Sequence, residues 1–253
     1  MKQQVKIVSF LLLLIFSFIS KISAQLCNGS LGDPVVNFTF GAGPNPGPSL
    51  NSLTNYSYLG ADCPPDGSYS IHNSTSNCFN STWHSVSEDH TPGDVNGYMM
   101  VINASNNPGD FFVQTVNGLC PNTTYEFAAW ILNVLKQTAC GGRGNKPNIT
   151  FKIETTTGTV LQSYQTGDIQ AGSFVNWSQY GFFFSTTTGV SSVVIRMTNN
   201  APGGCGNDLL LDDITFRACG PLVTASILGS PDSVDVCSGD NAVFTLQANV
   251  SSG

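Results

Sequence analysis

The sequence predicts an all-β protein built as a sandwich or jelly roll, and three observations support this prediction. Many short segments with apolar or alternating patterns are separated by turn residues. No segment has the apolar period of an amphipathic helix. The chain has 26 Gly and 13 Pro residues, whereas charged residues make up only 10% of it. Short strands joined by frequent turns are typical of these two folds.

The first 24 residues predict a secretory signal peptide. Lys2 and Lys6 form a basic start, residues 7–19 are apolar, and Ala24 ends a small-residue cleavage site. The apolar run is too short for a comfortable membrane span, so we expect a secreted or cell-surface protein with no span after signal removal. Sixteen acidic residues against nine basic ones argue against a nucleic-acid partner.

Ten segments predict the strands of the main domain: 33–40, 69–71, 98–103, 110–116, 123–135, 149–155, 160–164, 177–185, 193–198 and 209–216. Long polar loops lie between the first three. After a linker at 221–232, the alternation of Phe244, Leu246, Ala248 and Val250 predicts the first strand of an incomplete immunoglobulin-like domain over 233–253. Because such a domain needs about 100 residues, we expect the front part of a longer protein or a truncated product.

The strand 209–216 carries the strongest functional signal. It is apolar on both faces, yet it contains the adjacent residues Asp212 and Asp213. Strand alternation directs these two side chains to opposite faces, which makes them a poor acid–base pair. Unpaired buried carboxylates are costly. Either a hard cation such as calcium binds them, or they lie at a solvated strand end and accept hydrogen bonds from turn N–H groups.

The histidines and two of the tryptophans receive structural interpretations. His90 follows Asp89, and we expect the two side chains to form a hydrogen-bonded pair that braces their loop. Trp130 and Trp177 lie on apolar strands and are expected in the core. The chain contains neither the GxSxG nor the HExxH pattern, so we expect no enzyme activity.

The loops supply the candidate ligand-binding residues. Trp83 lies in a polar loop, with Tyr56 and Tyr58 upstream, and is a candidate for stacking on a sugar. The alternative is that Trp83 packs as a lid over the edge of the sandwich. Arg143, in a glycine-rich loop, either hydrogen-bonds a glycan or is simply solvated.

Three motifs together resemble MAM-type and galactose-binding-like jelly rolls. They are Asp-His-Thr at 89–91, Gly-Tyr-Met-Met-Val-Ile-Asn at 97–103, and Leu-Asp-Asp-Ile at 211–214. Over residues 27–221 the chain resembles an N-terminal domain of large secreted Bacteroidota surface proteins of the gliding-motility or type IX-secreted kind. Those proteins continue into Ig-like or PKD-like repeats. The resemblance implies a jelly-roll domain over 25–220, with two facing antiparallel sheets and neighbouring first and last strands.

The resemblance also implies cross-links and a metal. The implied disulfides are Cys27–Cys219, Cys63–Cys78 and Cys140–Cys205, with Cys120 left as a buried thiol. A structural calcium ion (Ca2+) would lie beside the last strand. Asp212 or Asp213 would supply its carboxylate, and oxygens near Gly41 would complete the shell.

These observations predict a non-catalytic extracellular recognition module of a multidomain surface or secreted protein. Its role would be adhesion or glycan binding, and its partner a glycan or a cell-surface protein. Two alternatives remain open. One is a purely structural cap braced by disulfides and calcium, and the other is an accessory domain of a secreted hydrolase.

Overall fold

The protein is described here from a computed structural model, in which residues 26–227, 243 and 245–251 are described. The signal-peptide prediction lies outside them. One sheet has seven strands: β1 (Ser30–Phe38), β2 (Ser57–Tyr58), β3 (Ser68–His72), β4 (Met99–Asn103), β6 (Thr124–Asn133), β9 (Ser178–Ser185) and β11 (Leu209–Gly220). The other sheet has four: β5 (Gly109–Asn117), β7 (Asn148–Glu154), β8 (Val160–Asp168) and β10 (Ser192–Asn199). This arrangement is the predicted β-sandwich of jelly-roll type.

The core lies between the two sheets and is formed by alternate residues of their strands. On β6, the inward residues Phe127 and Ala129 are fully buried. The ring of Phe127 meets that of Phe151 on the opposite sheet, with 5.2 Å between centroids. Aromatic contacts of this kind join the sheets through dispersion and burial of apolar area. A second, smaller apolar cluster, which includes Trp83 and Leu210, packs on the outer face of the large sheet.

Strand β11 is the centre of the large sheet. It pairs antiparallel with β1, β4 and β6, so the first and last strands of the domain are neighbours. Its pairing with β6 shifts register between Asp212 and Thr215, and Asp213 has a left-handed φ of 46°. This is a β-bulge, in which an extra residue bends the strand and re-aims its side chains. Simple alternation did not predict it.

The structure contains the three disulfides that the resemblance implies: Cys27–Cys219, Cys63–Cys78 and Cys140–Cys205. Cys120 is a free cysteine and is exposed, so the expectation of a buried thiol is wrong. The reason is its position in a surface turn between β5 and β6, where its N–H donates to the Tyr125 hydroxyl at 2.9 Å.

The expected linker at 221–232 is partly a strand. β12 (Leu222–Ile227) pairs antiparallel with β13 (Leu246–Ser251), which is the strand predicted from the alternating residues near the end of the chain. Residues 228–242 lie outside the described residues. Within the described ranges, helical structure is limited to the short turns Asn51–Leu53, Cys78–Ser81 and Ala139–Gly142. None of these described helices is long and apolar enough to cross a membrane.

Candidate functional site

The β11 bulge directs Asp212 and Asp213 toward one loop, residues 89–94. The Asp212 carboxylate is fully buried and accepts hydrogen bonds from the His90 N–H at 2.7 Å and the Thr91 N–H at 3.3 Å. Its other oxygen accepts the Asp213 N–H at 2.8 Å. The expectation that the two carboxylates face opposite sides is wrong, because the bulge interrupts the alternation. Asp212 accepts the N–H groups of this loop, as the alternative proposed, but it is fully buried within β11 and does not lie at a solvated strand end.

Asp213 contacts the side chains of the same loop. One carboxylate oxygen lies 2.7 Å from His90 Nδ1, and the other accepts the Thr91 hydroxyl at 2.8 Å. His90 therefore pairs with Asp213 and not with its sequence neighbour Asp89. The expected partner is wrong because the bulge brings a carboxylate from a strand more than 100 residues away.

Trp130 and Trp177 flank the His90 ring. Trp130 alternates with the inward residues Phe127 and Ala129 of β6, so its indole faces outward and is half-buried. The His90 ring stacks on it with 3.8 Å between centroids and an 18° interplanar angle. Trp177, also half-buried, meets His90 edge-on at 5.9 Å. The expectation that both tryptophans belong to the core is wrong, because they cover the outer face of the large sheet.

Several carboxyl groups lie close together around this loop. The Asp89 side chain is buried, and its Oδ2 atom has no hydrogen-bond partner among the described residues. Burial, followed by the nearby Asp94 and Asp213 carboxylates, raises the pKa of Asp89 to about 6. Burial, followed by the Asp213 carboxylate, raises the pKa of Asp212 to about 8. Carboxylates that raise each other's pKa in this way would be stabilised by a cation.

The end of β1 lies beside these carboxylates. Ala42, the residue after Gly41, forms an isolated antiparallel β-bridge with Gly97. The Asp89 carboxylate packs directly against Gly97, because a Cβ atom on that glycine would lie only 2.2 Å from Asp89 Oδ2. Calcium takes carboxylate and main-chain oxygens. Asp89 and Asp213 carry such oxygens, and the unpartnered Asp89 oxygen fits this chemistry. The Gly41 carbonyl, the expected main-chain ligand, accepts the Tyr98 N–H at 2.8 Å and would have to use its second lone pair. Asp212 fits it less well than expected from the sequence, since main-chain N–H groups occupy both of its oxygens.

A tighter group of ligand-type atoms lies elsewhere. Atoms of Asp62, Cys63 and Cys78 lie within 4.8 Å of one another. The two sulfurs form a disulfide, however, and metal binding requires thiolates. This group is therefore part of a cross-link and is not a metal site.

The aromatic residues expected to stack on a sugar are mostly internal. Trp83 is only 2% exposed, and its indole N–H donates to Asp208 Oδ2 at 3.2 Å. Tyr56 is also buried, while Tyr58 is half-buried and donates its hydroxyl hydrogen to the Gly47 carbonyl. A buried ring offers no face to a ligand, so the ligand-binding interpretation of Trp83 and Tyr56 is wrong. Trp83 packs inside the apolar cluster beneath its loop, as the lid alternative requires.

A polar cleft of about 400 Å³ opens next to Arg143. We call it the amide cleft; its lining comprises Gly144, Asn145, Lys146, Asn148, Gln165, Asp168, Asn200, Ala201 and Pro202. Arg143 is exposed and adjoins the lining in sequence. Sequence reasoning found Arg143 but missed the cleft, because its walls come from separate loops and strands. The only available signal was the high Asn content of these segments.

The Cys140–Cys205 disulfide joins the two loops that wall the amide cleft. Around it, the Asn145 N–H donates to the Cys205 carbonyl at 2.9 Å. The Asn145 side-chain amide donates to the Pro202 carbonyl at 3.2 Å and to the Gly203 carbonyl at 2.7 Å. The cleft is therefore held open in one geometry before any ligand arrives, which reduces the ordering cost of binding.

The side chains of the amide cleft present mainly acceptor oxygens. Asn148 uses its amide N–H to donate to Asp168 Oδ1 at 2.9 Å, and Asn200 donates to Thr150 Oγ1 at 2.7 Å. Asn145 Oδ1, Asn200 Oδ1 and Asp168 Oδ2 have no donor within the described part of the chain. Hydroxyl groups are donors that suit such oxygens.

A second cleft of about 210 Å³ shares Asp168 with the amide cleft. Its lining includes Asn133, Gln170, Phe174, Asn176 and Tyr180. Phe174 is 70% exposed, which is unusual for a phenyl ring. The polar surface thus continues toward an exposed aromatic ring, and the pair of clefts offers both hydrogen-bonding groups and an apolar face.

No protein-family model matches the chain, and no curated protein matches its sequence. Among solved structures, the chain is similar to the enzymatically active domain of bacteriophage CBA120 tailspike protein 4, at 12% identity and a TM-score of 0.37, covering 60% of this chain and 18% of that one. The CBM22-1 xylan-binding domain of Paenibacillus barcinonensis Xyn10C has 11% identity and a TM-score of 0.38, with coverage of 76% and 97%. A cyclase from Fischerella sp. TAU has 16% identity and a TM-score of 0.42, with coverage of 59% and 73%. Likeness at this level carries no argument about ligand or activity.

Proposed function

We propose that this chain is a non-catalytic glycan-binding module that seats a sugar in the amide cleft. The observation that carries the proposal is a polar cleft walled by side-chain amides and braced by the Cys140–Cys205 disulfide. Sugars present many hydroxyl groups, and the cleft presents acceptor oxygens at fixed positions. A rigid site with a few convergent polar groups is what specific recognition of a small polar ligand requires.

The cleft chemistry favours binding over hydrolysis. Glycoside hydrolysis ordinarily uses two carboxyl groups on either side of the scissile bond. Asp168 is the one acidic residue in the lining of the amide cleft. The remaining lining side chains that carry polar groups are four amides and Lys146.

We place the module outside the cell, on a secreted or surface protein with a role in adhesion. Disulfides form and persist in oxidising compartments, and the described residues contain three of them. Loops that are rich in asparagine and carry little charge can form a solvated surface that contacts neutral or charged glycans. The rival interpretation, a structural cap that binds no ligand, is an outcome of the experiment below.

The experiment is a glycan-array screen followed by titration calorimetry with the best ligand, using the chain and two variants. Gln165 lines the cleft, is exposed and makes no side-chain hydrogen bond within the described residues. We expect Gln165→Ala to weaken binding about fivefold to tenfold through loss of one hydrogen bond, with an unchanged melting temperature. Ser163→Ala, on the same face of the same strand but outside the cleft, is the matched control.

Each outcome decides the proposal. Weaker binding by the Gln165 variant alone supports the amide cleft. Equal binding by all three proteins means that the ligand sits elsewhere and overturns the assigned site. Binding to no glycan on the array overturns the function and favours the structural cap.

We also propose that a calcium ion braces the loop 89–94, with Asp89 and Asp213 as carboxylate ligands and the Gly41 carbonyl as a main-chain ligand. The support is the buried, unpartnered Asp89 oxygen and the mutual repulsion of the carboxylates. Calcium should raise the melting temperature by mass action, and Asp89→Asn should reduce that rise. An unchanged melting temperature with calcium and with chelator would contradict the proposal.

A further inference from the structure

We infer that the amide cleft selects an acidic saccharide, one that carries carboxylate or sulfate groups. This inference rests on the glycan-binding function proposed above and names the class of ligand. It begins with the distribution of positive charge. The chain is acidic, with a net charge of −7, yet Lys136, Arg143 and Lys146 fall within one short stretch around Cys140.

These cations differ from the arginines elsewhere in the domain. Arg196 pairs with Asp110 and Glu154, and the Arg217 Nε atom lies 3.8 Å from Glu126. In contrast, the side chains of Lys136, Arg143 and Lys146 form no ion pair within the described residues. Three of the four described cations without an ion pair therefore lie on the segment 136–146, and the fourth, Lys152, lies on β7 outside the cleft.

One of these cations lines the cleft and another adjoins its lining in sequence. Lys146 is half-buried and lines the cleft, and Arg143 is exposed two residues before Asn145, whose hydrogen bonds tie the loop to its neighbour. The disulfide at Cys140 limits movement of the same segment. Both cations are thus carried by a rigid support, and an anionic group of a ligand can meet them at a small ordering cost.

Asp168 and Lys146 give the cleft an acceptor side and a cationic side. Its Oδ1 atom accepts the Asn148 amide N–H, and its Oδ2 atom has no donor among the described residues. A sugar acid can direct hydroxyl groups to Asp168 and the neighbouring amide oxygens, and its anionic group to Lys146. A neutral sugar would use the acceptors and leave the cations unpaired, so it should bind more weakly.

The test compares three polysaccharides by titration calorimetry: polygalacturonate, a sulfated galactan and neutral galactan. We expect one of the anionic polymers to bind at least about tenfold more tightly than the neutral one, with affinity falling as salt increases. Tighter binding of polygalacturonate would identify a carboxylate ligand, and tighter binding of the sulfated galactan would identify a sulfate ligand. Equal affinity for neutral and anionic polymers, or affinity independent of salt, would overturn the inference.

Variants locate the charge effect. Arg143→Gln and Lys146→Gln should each weaken binding of the anionic polymer about fivefold, whereas Asp168→Asn, which loses one acceptor oxygen but also removes a like charge, should not weaken it. Lys152→Gln makes the same change in net charge on β7, outside the cleft, and is the matched control. Equal losses of affinity in the Arg143, Lys146 and Lys152 variants would show that net charge alone controls binding and would contradict the assigned site. If neutral glycans bind and depend on Gln165 while charge variants have no effect, only this inference fails and the glycan-binding function stands.

Discussion

Replacement of Trp83 by Phe tests whether this residue is a core element or a ligand platform. Phe retains most of the buried aromatic ring but removes the indole N–H, which donates to Asp208 Oδ2 at 3.2 Å. Asp208 is buried, and its other oxygen accepts the Ala104 N–H at 3.0 Å. A hydrogen bond to an ionised group is worth about 1.5–3 kcal/mol. We therefore expect Trp83→Phe to lower the free energy of unfolding by about 2 kcal/mol where Asp208 is ionised.

The size of this loss should depend on pH. Burial raises the pKa of Asp208 to about 7, against the lowering effect of the hydrogen bonds from Ala104 and Trp83. The folded state therefore keeps a proton on Asp208 between about pH 4 and 7, which the unfolded state has already released. The free energy of unfolding therefore contains a favourable contribution from Asp208 that is fully present below about pH 4 and is lost as the pH rises to about 7. This loss is on the order of 4 kcal/mol. Above pH 7 the carboxylate depends on its two donors, so Trp83→Phe should cost more there than at about pH 5.

The assay is urea unfolding followed by circular dichroism at about pH 5 and about pH 8.5, with glycan binding measured on the same samples. Trp130→Phe is the matched control, because Trp130 is half-buried and its indole N–H makes no hydrogen bond within the described residues. We expect the control to lose less stability at both pH values. Full stability of Trp83→Phe at the higher pH, together with lost glycan binding, would refute the reasoning and restore Trp83 as a ligand contact.

Three further expectations concern cross-links and the acidic loop. Replacing both Cys27 and Cys219 by Ser should lower stability by about 5 kcal/mol in denaturant unfolding, since that bridge closes a loop with a sequence separation of 192. The exposed Cys120 thiol should react with a maleimide in the native protein without a change in melting temperature, and protection from the reagent would contradict its exposure. Asp212→Asn should speed amide hydrogen exchange at Thr91 above about pH 8, where Asp212 is ionised and the substitution removes a charged acceptor from the loop N–H groups, and an unchanged exchange rate would count against this role of Asp212.

Local pattern was sufficient for the strands of the sandwich. Side chains alternate along a strand, so apolar runs such as 123–135 mark strands. Phe127 and Ala129 lie inward, but both faces of this run are apolar, so the pattern did not show which face would be buried against the other sheet. The disulfide pairing and the neighbouring first and last strands that the resemblance in sequence motifs implied are both present in the structure.

The candidate sites could not be predicted in the same way. A bulge at Asp213 reverses the alternation at one point, and nothing in the residue types of 209–216 marks that reversal. Trp83 lies in a polar loop, yet the loop folds over an apolar cluster and buries the ring. The amide cleft has no local signature, because Asn145, Gln165 and Asn200 meet only after two loops and two strands have come together.

The sequence by itself determined the all-β class and the position of most strands, because these depend on the periodicity of neighbouring residues. It also determined the charge balance and the supply of cysteines. Only the tertiary structure decided which carboxylate pairs with His90, which tryptophans face outward and where a polar cleft opens. Those outcomes depend on contacts between residues far apart in the chain, and such contacts are set by the packing of whole sheets and loops.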